Sequence, residues 1–204
     1  MARIRRCLPL LLMVILLAGC LETAEPFSDD FSDPESGWGS ATPEEYLRTY
    51  QAGRYAIEVD VPNLLVWTTP GRVYQDVEIS VRLSSERALD NHYGVLCRYT
   101  QGAFYYFAIS ADGYYAIFHR MEDGDLIPLT GQAMLRSPVI RTDGMENELL
   151  AVCDGSELSL YVNGELVAQA QDKTLERGDV GIAAGTLDQA NTLVWFDDFE
   201  ADVP

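Results

Sequence analysis

Cysteine carries the most specific chemistry in this 204-residue chain. Cys20 closes Leu17-Ala18-Gly19-Cys20, where small residues precede a thiol. That is the form of a bacterial lipobox, whose cysteine is lipidated and becomes the new N-terminus. Ahead of it stand Arg3, Arg5 and Arg6, then an apolar run from Leu8 to Leu17. Such a run is too short to span a bilayer, which takes about 20 residues, and suits the core of a signal peptide. The expectation is a signal peptide over 1–19, a lipidated Cys20, a short tether over 20–26 and one domain over 27–204. One acyl chain holds a protein only marginally, at about 0.8 kcal/mol per buried methylene, whereas two or three hold it firmly. The implied partner is the membrane, and the implied location is the cell membrane or envelope, lipid-anchored and extracytoplasmic.

Cys7 would leave with the signal peptide, so Cys97 and Cys153 remain. Both fall in strand-like stretches, 93–99 and 149–154, of a chain expected to be exported, where disulfides persist. A bond between them is expected. Closing a loop of this length contributes on the order of 4 kcal/mol in the chain-entropy picture. No CxxC spacing or adjacent histidine points to a metal or redox role for either residue.

The titratable groups give little direct sign of catalysis. His92 and His119 are the chain's two histidines. No HxH, HExxH or G-x-S-x-G pattern supports a zinc site or a serine triad. Asp76 and Glu78 are expected on one face of a strand, but no third carboxylate joins them, and such pairs on an acidic β-protein are usually solvated. Aromatics are denser. Tyr93, Tyr99, Phe104, Tyr105, Tyr106, Phe107, Tyr114, Tyr115 and Phe118 crowd into residues 92–120. Alternate residues of a strand face opposite sides. Tyr93, Val95, Cys97 and Tyr99 read as the core-facing set, which places His92 and Arg98 on the other face. Tyr106 and Tyr114 are then expected beside Arg98. His92, Arg98, Tyr106 and Tyr114 thus form a candidate glycan-binding set, with tyrosines to stack on sugar rings. The plainer alternative is that these aromatics pack one sheet on another, and a one-residue slip in register inverts the assignment.

The elements that must position them are strands. Val77, Ile79, Val81 and Leu83 alternate with Glu78, Ser80 and Arg82, a period of two rather than 3.6. Asn163-Gly164 and Asp112-Gly113 read as tight hairpin turns. Eleven to thirteen short strands are expected, with a single helix candidate over 43–49, led by Thr42 as a cap. The pattern predicts an all-β, antiparallel two-sheet jelly-roll sandwich. The formal charge of −18 becomes −21 without the three signal-peptide arginines, and Lys173 is the sole lysine. Nucleic acid is therefore excluded as a partner, since its binding needs clustered cations.

Several segments together resemble the concanavalin A-like lectin/glucanase superfamily, the jelly roll shared with LamG-like domains, and its small bacterial lipoprotein members in particular. They are DDFSDPESGW at 29–38, GRYAIEV at 53–59, YGVLCRY at 93–99 and FYYFAISADGYYAIF at 104–118. NELLAVCDGSELSLYVNGELV at 147–167, GDVGIAAGT at 178–186 and VWFDDFEA at 194–201 complete the set. The resemblance implies a concanavalin A-like β-sandwich whose first and last strands lie side by side. It also implies a structural Ca²⁺ near the paired ends, held by Asp197 and by backbone around Asp30 and Gly53, with Asp29 and Asp198 adding charge. Laminarinase-type members use a Glu-x-Asp-x-x-Glu strand for retaining hydrolysis. Glu58-Val59-Asp60-Val61-Pro62-Asn63 departs from that pattern by ending in Asn and by carrying a proline, which removes the acid. The function implied is binding of glycan or another cell-envelope polymer without catalysis. The alternatives are a glycoside hydrolase of the 3-keto-disaccharide type and a structural or protein-interaction domain without a small ligand.

Overall fold

Alternating side chains settle which face of each strand is buried. In the strand Val77–Arg87, Val77, Ile79, Val81 and Leu83 are enclosed while Glu78 and Arg82 face water. The structure, a computed structural model, describes residues 25–204. The expected signal peptide and the lipidation site Cys20 lie outside the described residues. Along the chain come β1 (Phe27–Asp29), β2 (Tyr46–Gln51), β3 (Arg54–Val59), β4 (Leu65–Thr68), β5 (Val73–Tyr74) and β6 (Val77–Arg87). Next are β7 (Asn91–Thr100), β8 (Ala103–Ile109), β9 (Tyr114–Arg120), β10 (Leu126–Pro128) and β11 (Leu135–Arg136). The chain ends with β12 (Asn147–Asp154), β13 (Glu157–Val162), β14 (Glu165–Gln171), β15 (Gly178–Thr186) and β16 (Thr192–Asp202).

Sixteen strands exceed the number expected because β1, β5, β10 and β11 are pairings of two or three residues, too short to show alternation. The expected helix over 43–49 is absent. Tyr46–Gln51 is instead β2, paired with β3 from Tyr46↔Val59 to Gln51↔Arg54. Cross-strand pairing and burial outweigh a cap signal at this site. Both predicted hairpins form, β8–β9 about Asp112-Gly113 and β13–β14 about Asn163-Gly164.

The strands make two antiparallel sheets. The first runs β14-β13-β12-β6-β16-β3-β2, with β1 also paired to β16. The second runs β10-β9-β8-β7-β15-β4, with β11 on β9 and β5 on β15. Their inner faces enclose one apolar core that includes Ile57, Val81, Phe107, Ile117, Leu160 and Ile182. The fold is the all-β two-sheet jelly roll that the alternation implies.

Two bulges make the geometry. In β16, Phe196 and Phe199 are both fully buried although three residues apart. Strict alternation forbids that, and a bulge between Asp197 and Glu200 resolves it. Asp198 takes a positive φ of 46°, and Asp197 and Asp198 both pair with Arg82 on β6. β3 pairs with β16 over 192–196 and β1 over 199–201, so one strand edge serves both. The matching DDF phrases meet here, and Asp29↔Phe199 is one of the β1–β16 pairs.

The second bulge is in β7, between Cys97 and Thr100, with Arg98 at φ 56°. It corrects the expected face assignment. Tyr93, Val95 and Cys97 do enter the core, but Tyr99 emerges on the outer face beside Phe104. Arg98 is 2% exposed. Its guanidinium donates to the carbonyls of Gln75, Gly155 and Leu175 at 2.8–2.9 Å and to the Asp76 carboxylate at 3.1 Å. Asp76 therefore sits in a bend before β6 as the partner of Arg98, not on a strand face beside Glu78. β15 approaches this bulge so closely that a Cβ on Gly178 would lie 2.4 Å from the Arg98 and Tyr99 backbone.

Cys97 and Cys153 are bonded, joining β7 of the second sheet to β12 of the first. The loop they close is long, so the bond restricts the unfolded chain strongly. Replacing both by serine should lower unfolding free energy by about 2–4 kcal/mol, read as a shifted urea midpoint in tryptophan fluorescence. An unchanged midpoint would show that the crosslink adds nothing to stability.

Candidate functional site

The outer face of the second sheet carries the candidate site. Alternation puts His92, Gly94 and Leu96 of β7 on this face. Phe104, Tyr106 and Ala108 of β8 join them, with Phe118 of β9. At one end of this face is a cleft of about 490 Å³, within the roughly 300–1,000 Å³ range of small-molecule sites. Asp90, His92, Asp112 and Tyr114 line its polar end, and Phe118, Leu126, Ala133, Met134 and Leu187 line the remainder. Asn91 and Ser110 also border it, but both are used internally. Asn91 donates to Ser85 and Thr192 and accepts from the Ala111 amide. The Ser110 hydroxyl donates to Asp112 and accepts from the Tyr114 amide.

His92 is 4% exposed. Burial pushes its pKa down to about 4, with the Asp90 carboxylate pulling weakly the other way, so the ring is neutral near pH 7. Its Nδ1 lies 3.2 Å from the Tyr106 hydroxyl. Tyr106 is completely buried, and burial holds its pKa well above the ordinary value, so it stays protonated. That hydroxyl has no other partner among the described residues, so we assign it as the donor and Nδ1 as the acceptor, which puts the proton of the neutral ring on Nε2. Nε2 has no protein partner among the described residues and lies with Cε1 over Gly185 of β15. Gly185 makes room for the ring, because a Cβ there would meet the imidazole at 2.7 Å.

Of the four expected ligand-binding residues, His92 and Tyr114 line the cleft together. Tyr106 is beneath it, covered by Phe118 stacked at 6.1 Å and by Phe104 at 6.3 Å. It orients His92 rather than stacking on a ligand, which corrects the exposed role expected for it. Arg98 is not at the site, because the bulge turns it inward to the carbonyls described above. His119 is on the core side of β9 near Tyr105. Glu58 is on the first sheet, ion-paired with Arg87.

The sequence reading missed Asp90, Asp112, Phe118, Leu126, Met134 and Leu187. Phe118 was accessible in principle, since Tyr106↔Phe118 follows from the Asp112-Gly113 hairpin. Met134 and Leu187 arrive on segments without periodicity, and nothing local marks them.

The expected calcium set is Asp197 with backbone carbonyls around Asp30 and Gly53. Asp197 and Asp198 share the single guanidinium of Arg82. Both oxygens of Asp29 are engaged, by the Phe31 amide at 2.7 Å and the Trp38 indole at 2.8 Å. Asp30 lies in an acidic corner with Asp29, Asp33, Asp198 and Glu200, and Gly53 supplies the turn between β2 and β3 at φ 73°. Among the described residues no three His, Cys, Asp or Glu side chains converge as metal ligands.

No protein-family profile and no curated protein match this chain. Solved structures do. A Bacillus subtilis protein of unknown function with a galectin-like fold superposes with a TM-score of 0.63 at 10% identity, covering 87% of this chain and 94% of its own. The Bacillus licheniformis β-glucanase gives 0.60 at 10% identity, covering 90% and 100%. The carbohydrate-binding module CBM66 of Bacillus subtilis gives 0.55 at 14% identity, covering 82% and 92%. These likenesses show the fold.

The depressed pKa of His92 carries a sign. The unfolded chain binds a proton near pH 6.5 and the folded chain only near 4, so stability rises with pH between those values and is lost as pH falls through them. The full effect is on the order of 3 kcal/mol. His92→Gln should flatten urea-derived stability across pH 4–6.5. In the wild type, ¹⁵N imidazole shifts should report the Nε2–H tautomer at pH 7, and Tyr106→Phe should release it. A His92 titration midpoint near 6.5 would contradict the buried, neutral ring.

Proposed function

We propose that the chain is a lipid-anchored extracytoplasmic binding protein whose jelly-roll domain takes a neutral glycan or cell-envelope polymer in the His92 cleft. The observation that carries this reading is the polar end of the cleft. Asp90 and Asp112 offer acceptors there, beside the His92 ring that Tyr106 holds from below. Asp90 already takes the Gln189 amide on Oδ2, and Asp112 takes the Ser110 hydroxyl on Oδ1. Each keeps a second oxygen for a ligand. A vicinal diol donates to such carboxylates from one ring. The phenol and ring faces of Tyr114 and Phe118 suit the apolar faces of such rings. No cationic side chain lines the cleft and the whole chain is strongly acidic, which disfavours uronic or sialic acids through repulsion.

A second reading, hydrolysis, draws on Asp90 and Asp112 lining one cleft, since glycosidases act through two carboxyl groups. A binding protein leaves a neutral glycan intact on prolonged incubation, whereas a hydrolase releases reducing ends and loses that release with Asp112→Asn.

On an array of neutral and acidic glycans, the protein should retain neutral ones. His92→Ala and Asp112→Ala should each weaken retention by tenfold or more, corresponding to about 1.4 kcal/mol, with far-ultraviolet circular dichroism confirming that each variant remains folded. Retention that survives both substitutions would remove the cleft from the function. For the anchor, an alkyne fatty acid fed to expressing bacteria should label the wild type, and Cys20→Ser should abolish labelling and shift the protein to the soluble fraction. Continued labelling of that variant would overturn the lipobox reading.

A further inference from the structure

A glycan groove is usually polar along much of its length, and this cleft is not. Phe118, Leu126, Ala133, Met134 and Leu187 make up most of its wall. Leu187 is 41% exposed at the mouth, where an aliphatic side chain gains nothing from water. Phe118 and Leu126 are held by β9 and β10, which pair through Leu126↔Arg120 and Pro128↔Phe118. Leu187 is fixed from the opposite side, where its amide donates to the Asp90 carbonyl. Strand pairing therefore holds Phe118 and Leu126, a backbone bond to Asp90 holds Leu187, and both parts of the wall line the same cleft as His92, Asp90 and Asp112.

We infer that the ligand is an amphiphile: a neutral sugar head at His92, Asp90 and Asp112 that carries an aliphatic or aromatic substituent along Phe118, Leu126, Met134 and Leu187. This rests on the glycan reading above and adds to it. The sugar's hydroxyls satisfy the carboxylate oxygens of Asp90 and Asp112 that no protein group takes. Those groups alone would not reward a long apolar wall, and a substituent without a head would take water from the carboxylates and give them no partner in return. A glycolipid and a soluble alkyl or aryl glycoside share this chemistry.

The test is a chain-length series. Methyl, butyl, hexyl and octyl β-D-glucosides are titrated below micelle formation, with 1-hexanol as the headless control, and the contact surface is mapped by amide shifts. A fully buried methylene is worth about fourfold in affinity, so a partly open cleft should give at least tenfold between the methyl and hexyl compounds. Leu187→Asp and Met134→Asp should flatten the series, cutting the methyl-to-hexyl gain to less than threefold. Both substitutions are at partly exposed positions, and a near-unchanged melting temperature would verify folding.

A flat series with shifts still at the cleft would overturn the amphiphile and leave the glycan reading standing. Hexanol binding as tightly as hexyl glucoside would overturn the role of the sugar head. Shifts away from the cleft for every compound would overturn both readings. Vesicles of phosphatidylcholine containing a glucosyl diacylglycerol separate the sources. Co-sedimentation would support a membrane glycolipid, and octyl glucoside binding without co-sedimentation would support a soluble glycoside.

Discussion

The buried guanidinium of Arg98 is the contact on which the rest of the second sheet depends. A charge this enclosed is tolerable only when its donors are satisfied, and three carbonyls and one carboxylate do so here. Those partners come from the turn before β6, the β12–β13 turn and the segment before β15. One side chain thus ties both sheets at one end of the sandwich. The disulfide at the preceding residue makes the second tie. The bulge that these two contacts require changes the direction of every side chain after it, placing Tyr99 outside while Tyr93, Val95 and Cys97 remain inside.

The opposite end of the same strand shows burial used differently. His92 is held neutral by desolvation and given a defined tautomer by a tyrosine beneath it. The fold thereby fixes the protonation of a titratable residue. Gly185 matters because it has no side chain: β15 passes under the imidazole at a distance no other residue permits. Asp90 and Asp112 sit in the bend before β7 and the β8–β9 turn, and the apolar wall draws on both strands and loops. The Leu187 and Gln189 amides, both bonded to Asp90, link the two.

Much of this architecture was legible in the residues. Alternation in β6 and the turns at Asp112-Gly113 and Asn163-Gly164 specify strands directly, and Cys97 and Cys153 fall on strands that face each other. The helix reading of 43–49 failed because a cap signal is local while the pairing of Tyr46 with Val59 is not. The face of Arg98 failed for a related reason. A bulge shifts alternation by one residue, and its cause lies in partners more than fifty residues away in Gly155 and Leu175. At β16 the spacing of Phe196 and Phe199 betrays a bulge to anyone who asks how both can be buried. No such local clue exists in β7. Loop residues such as Met134 carry no period at all, which is why half of the cleft was invisible beforehand.

The position of β16 has a consequence for how the chain comes into being. It follows the other fifteen strands in chain order, yet it lies in the interior of its sheet, between β3 and β6, with β1 sharing its edge. Before residues 192–202 emerge, β3 and β6 have no common neighbour and the Trp38 corner lacks Phe199, which meets that indole edge-on at 4.8 Å. Non-local pairing of this kind is slow to form and leaves strand edges open meanwhile. The first sheet therefore stays in two parts until residues 192–202 are in place, and the sandwich closes when β16 enters between β3 and β6.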